Sequence, residues 1–168
     1  ALVEPASPSV TLAAVMAKSG MRVVHYSVQR DHIHLIVETE NATALSRRVA
    51  GLCVRIARRL NALMKRTGKV FADRFHERLL GTPRQVRSAL RYVLLNARKH
   101  AQAPSARGWL DPYSSASAFD GWVSDVVTSP TRASPLPIAP PGTWLLKVGW
   151  RRGGPPIDPQ DRPGPLAN

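Results

Sequence analysis

Residues 21–29, MRVVHYSVQ, are rich in β-branched and aromatic side chains and partly alternate; Arg30 and Asp31 make a turn, and HIHLIVE resumes the pattern. The two runs predict a β-hairpin. Over residues 43–65, Leu45, Val49, Leu52, Ile56, Leu60 and Leu63 recur at spacings of 4, 3, 4, 4 and 3, one apolar stripe of a long helix that Gly68 is expected to end. Residues 70–80 read as a turn followed by a further strand. Thr82, Pro83 and Gln85 supply an N-cap, a first-turn proline and a capping-box partner, so a second helix is predicted from Pro83 to about Lys99. No internal repeat is visible at any period.

A length of 168 residues suits one domain with an appendage and is too short for two independent enzyme domains. The formal net charge of +13 and a pI near 11.3 point to an acidic partner, nucleic acid first. That charge is concentrated: residues 41–100 hold fifteen basic and two acidic side chains, which is the whole +13, because the flanking thirds sum to −1 and +1. Twelve of the fifteen prolines follow residue 100, a composition that opposes a packed core, and the last sixteen residues read as disordered. The expected division is therefore a domain over residues 1–103 and a Pro-rich, partly disordered extension over 104–168. No apolar run is long enough to span a bilayer, and residues 10–17 lack the basic lead-in of a signal peptide, so no membrane association and a cytoplasmic location are expected. A single cysteine, Cys53, excludes an internal disulfide and a multi-cysteine zinc site, and reads as a small buried apolar residue.

The candidate chemistry begins with His32-Ile33-His34. The period of two in a strand points both imidazoles to one face and Ile33 to the other, so the pair could share a divalent cation; taken alone, two solvated histidines on an exposed sheet face are the better reading. The second helix adds to it. Its apolar stripe is Val86, Ala89, Leu90, Val93, Leu94 and Ala97, whereas Tyr92 shares a face with Gln85, Ser88, Asn96 and Lys99. Tyr92 and Asn96, four apart, put a phenol that could attack above an amide oxygen that could ligate a metal, unless Tyr92 is an amphipathic residue at the core rim.

These residues resemble the HUH single-strand tyrosine transposases, in particular the REP-associated tyrosine transposases related to the insertion-sequence-200 type. The likeness runs from about Arg22 to His100 and is carried by VVHYSVQRDHIHLIVE, VFADRFHERLL and RYVLLNARKH. The resemblance implies an α+β, ferredoxin-like antiparallel sheet with helices on one face, and a site in which His32, His34 and Asn96 are metal ligands and Tyr92 is the nucleophile. It departs from the family where Asn96 is followed by Ala97 rather than proline, which is expected to keep the asparagine in place and prolong the helix. Two neutral imidazoles and an amide would leave Mg²⁺ or Mn²⁺ its full double charge. A phenol, with a pKa ordinarily about 10, needs a cation nearby to attack at neutral pH, a role open to the metal or to Lys99. The implied reaction nicks and transfers single-stranded DNA through a phosphotyrosine, on the 5′ side by family analogy, and needs neither ATP nor a ligase. A water-using nuclease would not need Tyr92, and a domesticated relative would bind hairpin DNA without cutting it.

Substrate binding is expected on the first helix, where Arg48, Arg55, Arg59 and Arg66 lie close to one line and Arg47 and Arg58 form a second beside it, with Lys99 of the second helix as a further DNA contact. The expected partner is single-stranded or hairpin DNA, with a homodimer left open. Trp144 and Trp150, beside Lys147, Arg151 and Arg152, either stack on bases or dock the tail, and docking is the favoured reading. His25 and His76 read as ordinary strand residues, and His100 as a complement to the helix dipole. Relatives begin with a central strand, whereas ALVEPASP at residues 1–8 has no strand pattern and residues 9–19 suit only the following helix. The chain is therefore expected to be truncated, its histidine-bearing strand missing a neighbour.

Overall fold

The computed structural model describes residues 15–16, 18–99, 108–123 and 137–164. The expectations for the first strand and for His100 fall outside them. The chain divides into two compact units, one within Ala1–Arg22 and Thr39–Arg78, the other within Val23–Glu38 and Leu79–Asn168.

In the first unit, helix α1 spans Ala42–Leu63. Asn41 caps it, its side-chain oxygen accepting from the Ala44 amide at 2.8 Å. Val49, Leu52 and Ile56, the middle of the predicted stripe, are its buried residues. The helix closes at Met64, and Lys65 takes a φ of +48°, so the chain turns before it reaches Gly68. Residues 70–80 form no strand. Residues 72–79 are all exposed, because Asp73, Arg74, His76, Glu77 and Arg78 leave no face apolar enough to bury. Cys53 is half-buried rather than enclosed, and its burial pushes the thiol pKa up.

In the second unit, strands β1 (Arg22–Val28, its first residue at the unit boundary) and β2 (Ile33–Glu38) pair as the predicted hairpin, in a two-stranded antiparallel sheet. Helix α2 spans Pro83–Leu94 with the full capping box: the Gln85 amide donates to Thr82 Oγ1 at 3.3 Å, and Gln85 Oε1 accepts from the Thr82 amide at 3.2 Å. The fold is thus mixed α+β, as expected. The predicted helix to Lys99 is interrupted: Leu95 leaves helical geometry (φ −109°, ψ 17°) and a short helix α3 follows over Asn96–Lys99. Proline is therefore not required for a break at this point.

Much of the core of this unit comes from the C-terminal third. Ile36 of β2 and Val86, Leu90 and Leu94 of α2 pack with Leu110, Phe119, Trp150 and Ile157. Ser114 bridges Ser27 on β1, and the Val28 and Ser115 amides donate to Tyr113 and Tyr26 oxygens at 2.9 and 3.0 Å. Residues 153–164, expected to be disordered, include the fully buried Ile157. Trp150, in a 3-10 turn over Gly149–Gly153, is docked, while Trp144, at the start of helix α4 (Trp144–Lys147), stays half exposed under the Arg152 guanidinium. Among the described residues no helix is long and apolar enough to cross a membrane.

Candidate active site

The strand period governs the site. His32, His34, Ile36 and Glu38 share the parity that faces α2: Ile36 enters the core with Val86 and Leu90, and Glu38 accepts from the Gly142 and Thr143 amides at 2.7 Å each. The two imidazoles therefore stand at one end of that row. Their ring centroids are 4.7 Å apart and nearly perpendicular at 68°. Asp31 Oδ1 contacts His32 Nδ1 at 2.6 Å, a contact that orients the ring. Asp31 is the site residue that sequence reasoning missed, although its place in the turn beside the first histidine was an available signal.

Tyr92 meets this pair from α2, its ring edge-on to His34 with centroids 5.0 Å apart. It is half-buried and packs against the core rim, as the amphipathic reading of its ring expects. Lys99, seven residues on, returns over the same ring: Nζ lies 4.4 Å from the centroid and donates to the Tyr92 hydroxyl at 3.1 Å. Asn96, between them in sequence, is fully buried, and neither its Oδ1 nor its Nδ2 has a hydrogen-bond partner among the described residues. It is not hydrogen-bonded to either histidine. Among the described residues no group of three or more His, Cys, Asp and Glu side chains could hold a metal, so a cation here would need the amide as a third donor.

The α1 arginines belong to the first unit. Arg47, Arg55, Arg58 and Arg59 are exposed without an ion pair among the described residues. Arg48 is bidentate on Glu40, with contacts of 3.0 and 2.9 Å, and Arg66 donates to the Lys69 carbonyl at 3.0 Å. Glu40 is held below the usual carboxylate range by its own backbone hydrogen bond and by Arg48. His76 is an exposed loop residue. His25 is buried on β1, where its Nδ1 pairs with Ser115 Oγ at 3.1 Å, and desolvation lowers its pKa from 6.5 to about 4.

The sequence profile of the family described as Transposase IS200 like matches residues 9–94, just over half of the chain, and the chain belongs to that family. Membership makes it a DNA-binding, DNA-processing protein of the transposase class. The match covers the histidine pair and Tyr92 and stops short of Asn96 and Lys99. Neither the curated proteins nor the solved structures contain a match.

Proposed function

We propose that the chain nicks single-stranded DNA and transfers the strand through a covalent bond to Tyr92. The observation that carries this reading is the position of the Tyr92 hydroxyl, 3.1 Å from the Lys99 ammonium, on a ring that lies edge-on to His34. A phenol oxygen beside a cation has a partner for the negative charge it needs to attack phosphorus. The Tyr92 Oη–P bond forms as the P–O3′ bond breaks, the phenolic proton leaves to solvent, and the departing 3′ oxygen gains one. Reversal by another 3′ hydroxyl rejoins strands without an outside energy source.

His32, His34 and Asn96 suit a divalent cation: two imidazoles on one strand face, one of them oriented by Asp31, and a buried amide oxygen lacking any other partner among the described residues. Mg²⁺ or Mn²⁺ held there would supply Lewis-acid stabilisation of the scissile phosphate. The α1 arginines without an ion pair among the described residues, Arg47, Arg55, Arg58 and Arg59, provide guanidinium forks for other phosphates of a single strand or hairpin. An end-labelled hairpin strand tests the reading. The wild-type chain should nick it in Mg²⁺ or Mn²⁺, and Tyr92→Phe should lose at least about a thousandfold in cleavage while still binding the strand. Cleavage by Tyr92→Phe at the wild-type rate would assign the attack to water instead.

A further inference from the structure

Helix α2 carries a second row of chemistry beside Tyr92. Arg84, Arg87 and Arg91, at i, i+3 and i+7, lie on one face, with Ser88 between that row and Tyr92. Residues 153–155 and 163–164 lie against this face, and a cleft of about 530 Å³ remains between them and the three guanidinium groups. Arg87 fastens one wall, with Nε donating to the Pro155 carbonyl at 2.7 Å. Gly153 lets the chain approach closely, because a Cβ there would stand 2.5 Å from the Pro83 carbonyl oxygen. Arg91 ion-pairs with Asp161 at 3.0 Å through Nη2, while its buried Nε has no hydrogen-bond partner among the described residues. Arg84 is exposed and has no ion pair among the described residues. Of the three guanidinium groups only Arg91 is ion-paired among the described residues, and burial together with the neighbouring Arg91 charge pulls the Arg87 pKa below its ordinary value. Glycine and proline lining leaves the opening unobstructed by long side chains.

We propose that this cleft is a DNA-phosphate subsite, in which Arg84, with Arg87 and Arg91, holds a backbone phosphodiester of the strand that reaches Tyr92. Ser88 precedes Tyr92 by one turn, about 6 Å of rise, and Arg84 by about 12 Å, the scale of neighbouring nucleotides along an extended strand. The proposal rests on the preceding reading only for which strand is held; occupancy of the cleft by DNA does not depend on cleavage.

The test uses the full chain and a fluorescent oligothymidylate, with affinity measured over a series of potassium chloride concentrations. Arg84→Ala changes an exposed side chain on a helix, and an unchanged melting temperature verifies the fold. It is expected to weaken binding and to reduce the log–log salt slope by about 0.7, one single-strand phosphate contact, whereas Arg84→Lys should keep most of the slope. The same loss should appear in the Tyr92→Phe background, so failure of the cleavage mechanism would leave this result standing. An Arg84→Ala slope equal to wild type overturns the proposal. If inorganic phosphate raises the melting temperature of wild type but not of Arg84→Ala while the DNA slope stays the same, the cleft takes free phosphate and the DNA assignment is wrong.

Discussion

Asn96 is the residue at which the cost of the site is most visible. A fully buried amide whose oxygen and nitrogen both lack a hydrogen-bond partner among the described residues destabilises the fold by about 1–3 kcal/mol. Asn96→Leu, close in volume, is therefore expected to raise the denaturant midpoint of the metal-free chain and to abolish any rise in melting temperature that Mn²⁺ gives the wild type. A metal-free Asn96→Leu chain less stable than wild type would mean that the amide is satisfied in the fold. The type and spacing of this residue were legible in the sequence, since four positions separate it from Tyr92. Its complete burial was not, because helical periodicity placed it on the polar face, and the break at Leu95 re-aims it. The Lys99 contact with Tyr92 was legible, since the sequence already sets the two on one helix face, whereas the Asp31 contact with His32 depends on how the turn folds.

At the scale of elements, the hairpin, α1 and the start of α2 could be read from the chain because each carries its own signal: strand parity, an apolar stripe, a capping box. The strand expected over residues 70–80 failed because a few β-prone residues cannot make a strand when charges occupy both faces. The role of the C-terminal third was illegible for another reason. Contacts such as Ser114 on Ser27 and Ile157 in the core join residues far apart in sequence, and proline content says nothing about such contacts. His25 reports one of these joints. It is neutral and buried where β1 meets Ser115, with a folded pKa of about 4 against 6.5 in the unfolded chain. Between those values the unfolded state binds the extra proton, so stability is fully present above pH 6.5 and falls as the pH drops toward 4, by up to about 3 kcal/mol. Urea midpoints measured across this window should decline on acidification, and His25→Gln, which cannot titrate, should decline less. Equal pH dependence in the two chains would show that another group is responsible.

Over the whole molecule, the positive charge of residues 41–100 is shared by both units: ten of its fifteen basic side chains lie before residue 79 and five after it. The arginines of α1 therefore make up only part of the positive charge available to a nucleic-acid partner. Arg55→Ala with Arg59→Ala is expected to lower the single-strand salt slope by about 1.4, the value for two phosphate contacts, and leave the rest intact. An unaltered slope would move the DNA surface off α1. The central claim, that Tyr92 is the nucleophile, is most directly tested by recovering the reaction intermediate. The full chain is incubated with a hairpin-bearing single strand in Mn²⁺, denatured, digested and sequenced by mass spectrometry. The expected result is a nucleotide joined through its 5′ phosphate to the Tyr92 peptide, absent from Tyr92→Phe, with a free 3′ hydroxyl on the released fragment. Cleaved DNA bearing ordinary 5′ phosphate ends and no protein adduct would contradict it.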